Sequence, residues 1–224
     1  MNAQDINKRI RLIMDLRTKG ITDMAVLGAM ERIPRDFFIP EAVRHQAWED
    51  IALPIGRGQT ISQPYIVAAM TQALKLNDRE KVLEIGTGCG YQAAVLSKLC
   101  RRVYTIERHK PFVPAVEERF KALRINNVTA IAADGMKGWP KINGMEQAPF
   151  DKIIVTAAAR DRPPPRLIEQ LKDGGLMVCP VATDNGQVLR LYKKETGEVY
   201  TQKDLMQVRF VPLLPDLARE YEVA

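Results

Sequence analysis

Apolar residues in the first fifty positions recur at helical spacing. Ile6, Ile10, Ile13 and Leu16 predict one helix face, and Gly20 offers a C-terminal cap just beyond it. Asp23 predicts the N-cap of a second helix carrying Val26, Leu27 and Met30, which Pro34 ends. Residues 51–63 (IALPIGRGQTISQ) interrupt the pattern with glycine, proline and polar side chains and predict a loop; beyond it Ile66, Ala69, Met70, Ala73 and Leu74 mark the face of a third helix. From Lys81 the period changes. Short apolar runs at 82–85, 103–106, 128–132, 153–155 and 176–178 alternate with helical segments near 91–100, 112–124 and 164–172, the order of right-handed βαβ units. After Pro180 the helical pattern stops, and 187–192, 199–202 and 208–213 predict short antiparallel strands at the sheet edge.

The expected fold class is therefore α/β: a doubly wound, mainly parallel sheet with an N-terminal helical cap and short antiparallel C-terminal strands. Its expected division is a cap over 1–50, a loop plus α/β core over 51–180, and a strand-rich segment over 181–224 that completes the same domain. At 224 residues a single core domain is the natural reading.

Composition removes several function classes. No window approaches the roughly 18 apolar residues of a membrane span, and the charged N-terminus is unlike a signal peptide, so no membrane association and a cytoplasmic location are expected. Three widely spaced cysteines and two histidines suggest neither a disulfide framework nor a metal site. Trp48 and Trp139 are expected in the core. The net charge of +6 raises the question of nucleic acid, but residues 1–50 and 185–224 are each balanced and the surplus is spread between them. Residues 101–125 hold seven basic against three acidic residues along one predicted helix, the pattern of a solvated face.

The stretch most telling of chemistry is Val82-Leu-Glu-Ile-Gly-Thr-Gly-Cys-Gly90-Tyr. A buried strand runs into three glycines and then a helix, at the strand end where open α/β sheets bind ligands, and glycine lets a ligand approach the backbone. The second strand ends in Glu107, nineteen residues after Gly88, matching the acid that accepts hydrogen bonds from ribose hydroxyls in nucleoside-binding folds. Asp134-Gly135 stands at the end of the third strand.

The E-x-G-x-G-x-G spacing resembles motif I of S-adenosylmethionine-dependent methyltransferases. Together with ALPIGRGQTISQPY (52–65), PFDKIIVTAA (149–158), LKDGG (171–175) and VRFVPL (208–213), it resembles the bacterial protein-L-isoaspartate O-methyltransferases over nearly the whole chain. That resemblance implies a Rossmann-like methyltransferase fold, S-adenosylmethionine as cofactor with S-adenosylhomocysteine as product, and no metal. It implies methyl transfer to the free α-carboxylate of L-isoaspartyl residues in damaged peptides and proteins, giving an ester that returns through a succinimide toward aspartate. It assigns cofactor binding to Glu84, Gly86, Thr87, Gly88, Gly90, Glu107, Arg108, Asp134 and Gly135, and substrate binding to Gln59, Thr60, Ile61 and Val211, within a strand at 210–213 that holds the substrate backbone. Ser62 is the implied active-site residue, although Ser62 before Pro64 also reads as a helix N-cap. The pattern departs from the family at Cys89, at Ala182 and in the Arg160–Pro165 run, which falls near the lip of the substrate cleft. The expected protein is a monomer that binds no nucleic acid; the rival reading is an RNA methyltransferase on the same cofactor domain.

Overall fold

The computed structural model describes residues 3–197 and 199–219. Two helices, α1 (Ala3–Thr18) and α2 (Met24–Arg32), and two 3-10 turns over 35–46 form the cap. Asp23 caps α2 as expected, accepting the amides of Ala25 at 2.9 Å and Val26 at 3.2 Å. The face of α1 is rotated from the predicted one. Leu12 and Leu16 are buried while Ile6 and Ile10 are exposed, because the inward stripe runs through Arg9, Leu12, Ile13 and Leu16.

Residues 51–63 are not an irregular loop. They form a hairpin of β1 (Leu53–Gly56) and β2 (Gln59–Ile61), closed by Arg57 and Gly58, both at positive φ (53° and 65°), the geometry of a type I′ turn. The hairpin leads into α3 (Pro64–Leu74), with proline in the first turn, where its missing N–H costs nothing. Ser62 does not cap this helix. The cap position is Gln63, and it is Asp50 that reaches in, its Oδ1 accepting the Tyr65 amide at 2.7 Å while Oδ2 receives Lys19 and Gln63.

The alternating segment folds as β3 (Lys81–Ile85), α4 (Tyr91–Leu96), β4 (Arg102–Glu107), α5 (Phe112–Ala122), β5 (Val128–Ala132), β6 (Phe150–Val155), α6 (Pro165–Gln170) and β7 (Leu171–Thr183). Then come β8 (Gly186–Thr196) and β9 (Val199–Val208), both longer than the sequence suggests. The sheet order is β5-β4-β3-β6-β7-β8-β9, parallel from β5 through β7 and antiparallel across β8 and β9. Alternate residues of each strand supply two cores. Val82, Val103, Ile154 and Val178 pack under the cap, α3, α4 and α5, with Trp48; Leu83, Ile106, Ile153 and Met177 pack against α6 and Trp139. Burial of both faces is what a parallel sheet requires. The expected strand at 208–213 does not form. β9 ends at Val208, and the chain continues as an extended segment, bridged only at Pro212 to Ala158, because Pro212 and Pro215 lack the N–H that a ladder needs.

One ionisable group lies inside the central strand. Glu84 is fully buried; its Oε2 accepts the Thr105 hydroxyl and its Oε1 has no hydrogen-bond partner. Burial raises its carboxyl to about 8, opposed by the Thr105 bond and reinforced by nearby Glu107, so the group is neutral at pH 7. An unfolded glutamate titrates near 4.5, so the folded chain holds the extra proton between about 4.5 and 8. The stability this group contributes is complete below that window and is lost as the pH rises through it, by up to about 1.4 kcal/mol per pH unit. Glu84→Gln removes the titration. In urea unfolding at a series of pH values, the stability of the parent relative to the variant is expected to fall from pH 4.5 to 8 and then level; parallel profiles would exclude a neutral Glu84.

Candidate active site

The carboxyl ends of β3, β4, β5 and β6 form the floor of a cavity of about 1360 Å³. That exceeds the roughly 300–1,000 Å³ typical of a small-molecule pocket, leaving room for a second reactant. Three glycines after β3 shape the floor, each for a different reason. At Gly86 (φ 96°) a Cβ would stand 2.3 Å from Thr156 Oγ1, whose hydroxyl donates to the carbonyls of Ile85 and Gly86. At Gly90 (φ 90°) a Cβ would meet Val116 and Phe120 of α5 at 3.0–3.2 Å, so this residue lets α4 and α5 pack. Gly88 (φ 52°) has only Ile55 Cδ1 near, at 3.4 Å, and lines the cavity; it is the glycine that opens backbone to a ligand.

Glu107, at the end of β4, lines the same cavity and is 4% exposed. Oε2 accepts the Gly88 amide at 2.7 Å and Oε1 the His109 amide at 2.8 Å, so one carboxylate joins the glycine turn to the end of the next strand. Burial pushes its carboxyl up, against the pull of the amides of His109, Gly88 and Arg108. The carboxylate keeps acceptor capacity beyond the amides it receives, which a ribose hydroxyl could use.

Glu84 and Thr87 are placed beneath this floor. The Thr87 hydroxyl meets that of Thr105 at 2.6 Å, and Thr105 in turn donates to Glu84, a buried chain that holds the turn from below. Gly135 lines the cavity, and a Cβ there would lie 2.4 Å from Ile85 Cγ2. Asp134 caps its own turn, accepting the Met136 amide at 2.9 Å and pairing with Lys137 at 3.2 Å. Despite partial burial, the amides of Asp216 and Met136 and the Lys137 ammonium hold its carboxyl below the ordinary value. Lys137 also pairs with Asp216 at 3.2 Å, and the Ala218 amide donates to the Arg108 carbonyl at 3.0 Å. The segment after β9 is thereby fastened across this end of the cavity.

The roof has two parts. The hairpin and the residues flanking it contribute Ala52, Arg57, Gly58, Gln59, Thr60 and Ser62, beside Gln63 and Ile66 at the start of α3, and residues 207–215 form the second part. The second part is anchored by Ala158, which donates to Val211 O and accepts from the Leu213 amide, both at 2.8 Å. Gln187 completes the anchor by accepting the Phe210 amide at 2.7 Å and donating to the Phe210 carbonyl at 3.1 Å.

Of the residues singled out from sequence, Gln59, Thr60, Ser62, Gly86, Gly88, Glu107, Arg108, Gly135 and Val211 line one cavity. Ile61, Glu84, Thr87, Gly90 and Asp134 do not; they support it from behind, as does the buried Cys89. The Arg160–Pro165 run does not line the cavity either. His109, which follows Glu107 by two positions and reads from sequence as an ordinary polar residue that could border a nucleoside, also lines the cavity, buried against Phe112; missed were Thr156, Arg57 and Arg209. Thr156 had a readable signal, since it follows a strand beside the glycine turn; Arg57 and Arg209 depend on the hairpin and the final segment, which sequence pattern did not resolve. Among the described residues no cluster of three His, Cys, Asp or Glu is arranged to hold a metal ion, and no helix is long and apolar enough to cross a membrane.

Comparison with known proteins converges on one family. The sequence profile described as "Protein-L-isoaspartate(D-aspartate) O-methyltransferase" matches residues 7–218. The chain is 54% identical to a protein-L-isoaspartate O-methyltransferase of Rhodospirillum centenum, covering 95% of this chain and 94% of that one. It is 51% identical to the protein of the same name in Hahella chejuensis, with 94% and 97% covered. Among solved structures, a protein-L-isoaspartate O-methyltransferase aligns with a TM-score of 0.83 at 29% identity, covering 93% of this chain and 67% of that one. A Plasmodium falciparum protein described as a beta-aspartate methyltransferase, in complex with S-adenosyl-L-homocysteine, aligns at 0.78 with 26% identity, covering 91% and 97%. With a profile match and relatives that span almost its entire length, the chain belongs to the protein-L-isoaspartate (D-aspartate) O-methyltransferase family.

Proposed function

We propose that this protein transfers the methyl group of S-adenosylmethionine to the free α-carboxylate of L-isoaspartyl residues in damaged peptides and proteins. The observation that carries the reading is the joint lining of one cavity by the Gly88–Glu107 pair and by the Ser62 hairpin, the first suited to a nucleoside and the second to a carboxylate. The RNA-methyltransferase alternative loses ground because the relatives that match the full length are protein methyltransferases. The proposal extends to a monomeric cytoplasmic enzyme that acts without metal or nucleic acid.

The residues present fit the cofactor: Gly88 leaves backbone uncovered, Glu107 offers two carboxylate oxygens, and Gly135 adds a side-chain-free stretch of wall. Bound S-adenosylmethionine would supply an electrophilic methyl group. The chain's own work is positional. A substrate carboxylate is ionised at pH 7, so no general base has to create the nucleophile. The Ser62 hydroxyl has no hydrogen-bond partner among the described residues and is available to donate to one carboxylate oxygen, orienting the other for attack. The roof excludes water that would otherwise solvate the attacking oxygen. Alignment of this kind can account for up to roughly 7–11 kcal/mol of barrier.

Radiolabelled S-adenosylmethionine is expected to deliver base-labile methyl to an isoaspartyl peptide and not to its aspartyl counterpart; equal labelling of the two would remove the assignment. Ser62→Ala is expected to lower kcat by roughly 10–100-fold, the worth of one hydrogen bond to a charged group, with cofactor affinity unchanged by calorimetry. An unaltered rate would take Ser62 out of the reaction. Glu107→Ala is expected to weaken cofactor binding by about 1.5–3 kcal/mol, and an unchanged Kd would displace it from the ribose position.

A further inference from the structure

Three arginines line the cavity, Arg57, Arg108 and Arg209, against a single carboxylate, Glu107. Glu107 is buried at the floor with both oxygens committed to backbone amides, and Arg108 is engaged with the final segment through the Asp216 and Ala218 backbone. Arg57 and Arg209 are different. Among the described residues neither has an ion-pair partner, and no other acidic side chain lines the cavity.

Arg57 also occupies a position that turn chemistry does not favour. At φ 53°, in the first of the two central positions of the hairpin turn, glycine, asparagine or aspartate is the easy residue, and any other side chain is strained. The hairpin keeps a long cation at its tip, on the cavity, at a cost in backbone strain. Arg209 immediately follows the last residue of β9, where the chain leaves the ladder and turns across the cavity, and it is exposed. The two roof elements thus each carry one unneutralised guanidinium.

We infer that Arg57 and Arg209 form an acidic-sequence selector: they recruit isoaspartyl residues flanked by aspartate or glutamate and disfavour those flanked by lysine or arginine. The inference rests on the methyltransferase reading above and names the class of polypeptide it acts on. A role on the reacting carboxylate fits the chemistry less well, since a guanidinium that clamps both oxygens draws charge from the nucleophile, whereas a single hydroxyl leaves one oxygen free. Flanking side chains have no such constraint, and like-signed flanks meet repulsion from both cations.

The test uses three isoaspartyl peptides identical except for the residues on either side of the isoaspartate, which are glutamate, glutamine or lysine. Initial rates of base-labile methyl transfer are measured at low and high salt. With two exposed pairs, kcat/KM is expected to be about tenfold higher for the glutamate than for the lysine peptide at low salt, with the ratio shrinking toward one as salt screens the contacts. The Arg57→Gln/Arg209→Gln variant is expected to lose the preference and the Arg57→Glu/Arg209→Glu variant to reverse it. The ratio is taken within each preparation, so partial loss of folded enzyme does not affect it. A ratio near one in the parent protein, with the glutamine peptide methylated, overturns the selector and leaves the methyltransferase reading intact. Variants that slow all three peptides equally with the ratio preserved also overturn it, and would place the arginines on the reacting carboxylate. Failure of the parent protein to methylate any isoaspartyl peptide overturns both.

Discussion

At residue 86 the carboxyl end of β3 leaves no room for a side chain, since a Cβ would stand 2.3 Å from Thr156 Oγ1. That hydroxyl is held by the carbonyls of Ile85 and Gly86, so the ends of β3 and β6 are fastened together where the turn begins. The turn then presents the Gly88 amide to Glu107, which ties in the end of β4. Three neighbouring strands are brought to one point by side chains bonded to backbone, and the Thr156 contact requires the absence of a Cβ at residue 86. Below that point, the buried Glu84–Thr105–Thr87 chain joins β3 and its turn to β4. A buried polar chain of this kind is stabilising only while its members are satisfied. A neutral Glu84 leaves no buried charge at the bottom of it.

The sequence was most readable where one physical rule acted alone. Strands buried on both faces show as continuous apolar runs, and β3 to β6 fell where those runs did, since no polar face competes in the pattern. The glycine spacing and Glu107 were legible because a turn at a strand end restricts residue type more strongly than packing does. Where two rules competed, the reading failed. In α1 the isoleucines at 6 and 10 and the leucine at 12 define different faces, and the inward one was chosen by the helices it packs on. The hairpin at 53–61 lies below the length at which alternation is visible, and its turn carries arginine where asparagine would have announced it. The segment after β9 has strand-like residues but hydrogen-bonds to Ala158 and Gln187, partners that only the tertiary fold supplies. Ser62 illustrates the same limit: its spacing before Pro64 suits a cap, yet Asp50, distant in the cap region, supplies the acceptor.

These two kinds of legibility divide the site by function. The floor, readable from sequence, is made of strand ends, and in the proposed reaction it takes the small molecule, whose shape does not vary. The roof, largely unreadable, is a two-stranded hairpin and an extended segment, each held by a few hydrogen bonds, and in the proposed reaction it faces polypeptides that differ in every residue except one. Residues on the floor are buried among strands, so changing them alters fold and cofactor together. Residues on the roof contribute little to the sheet.

That separation bears on how a site with no acid–base machinery can discriminate. A carboxylate nucleophile is present on every acidic residue in the cell, so reactivity alone selects nothing. In the proposed reaction, selection comes from geometry around Ser62 and from what the roof accepts beside it. Both roof elements carry an unneutralised arginine, whereas the floor confines its one carboxylate within backbone amides. Under the selector proposed above, that distribution of charge favours anionic polypeptide at the roof. Deamidation itself adds a negative charge where an asparagine stood. A roof of this charge is attracted to the kind of chain that the damage produces, and the chemistry is left to alignment.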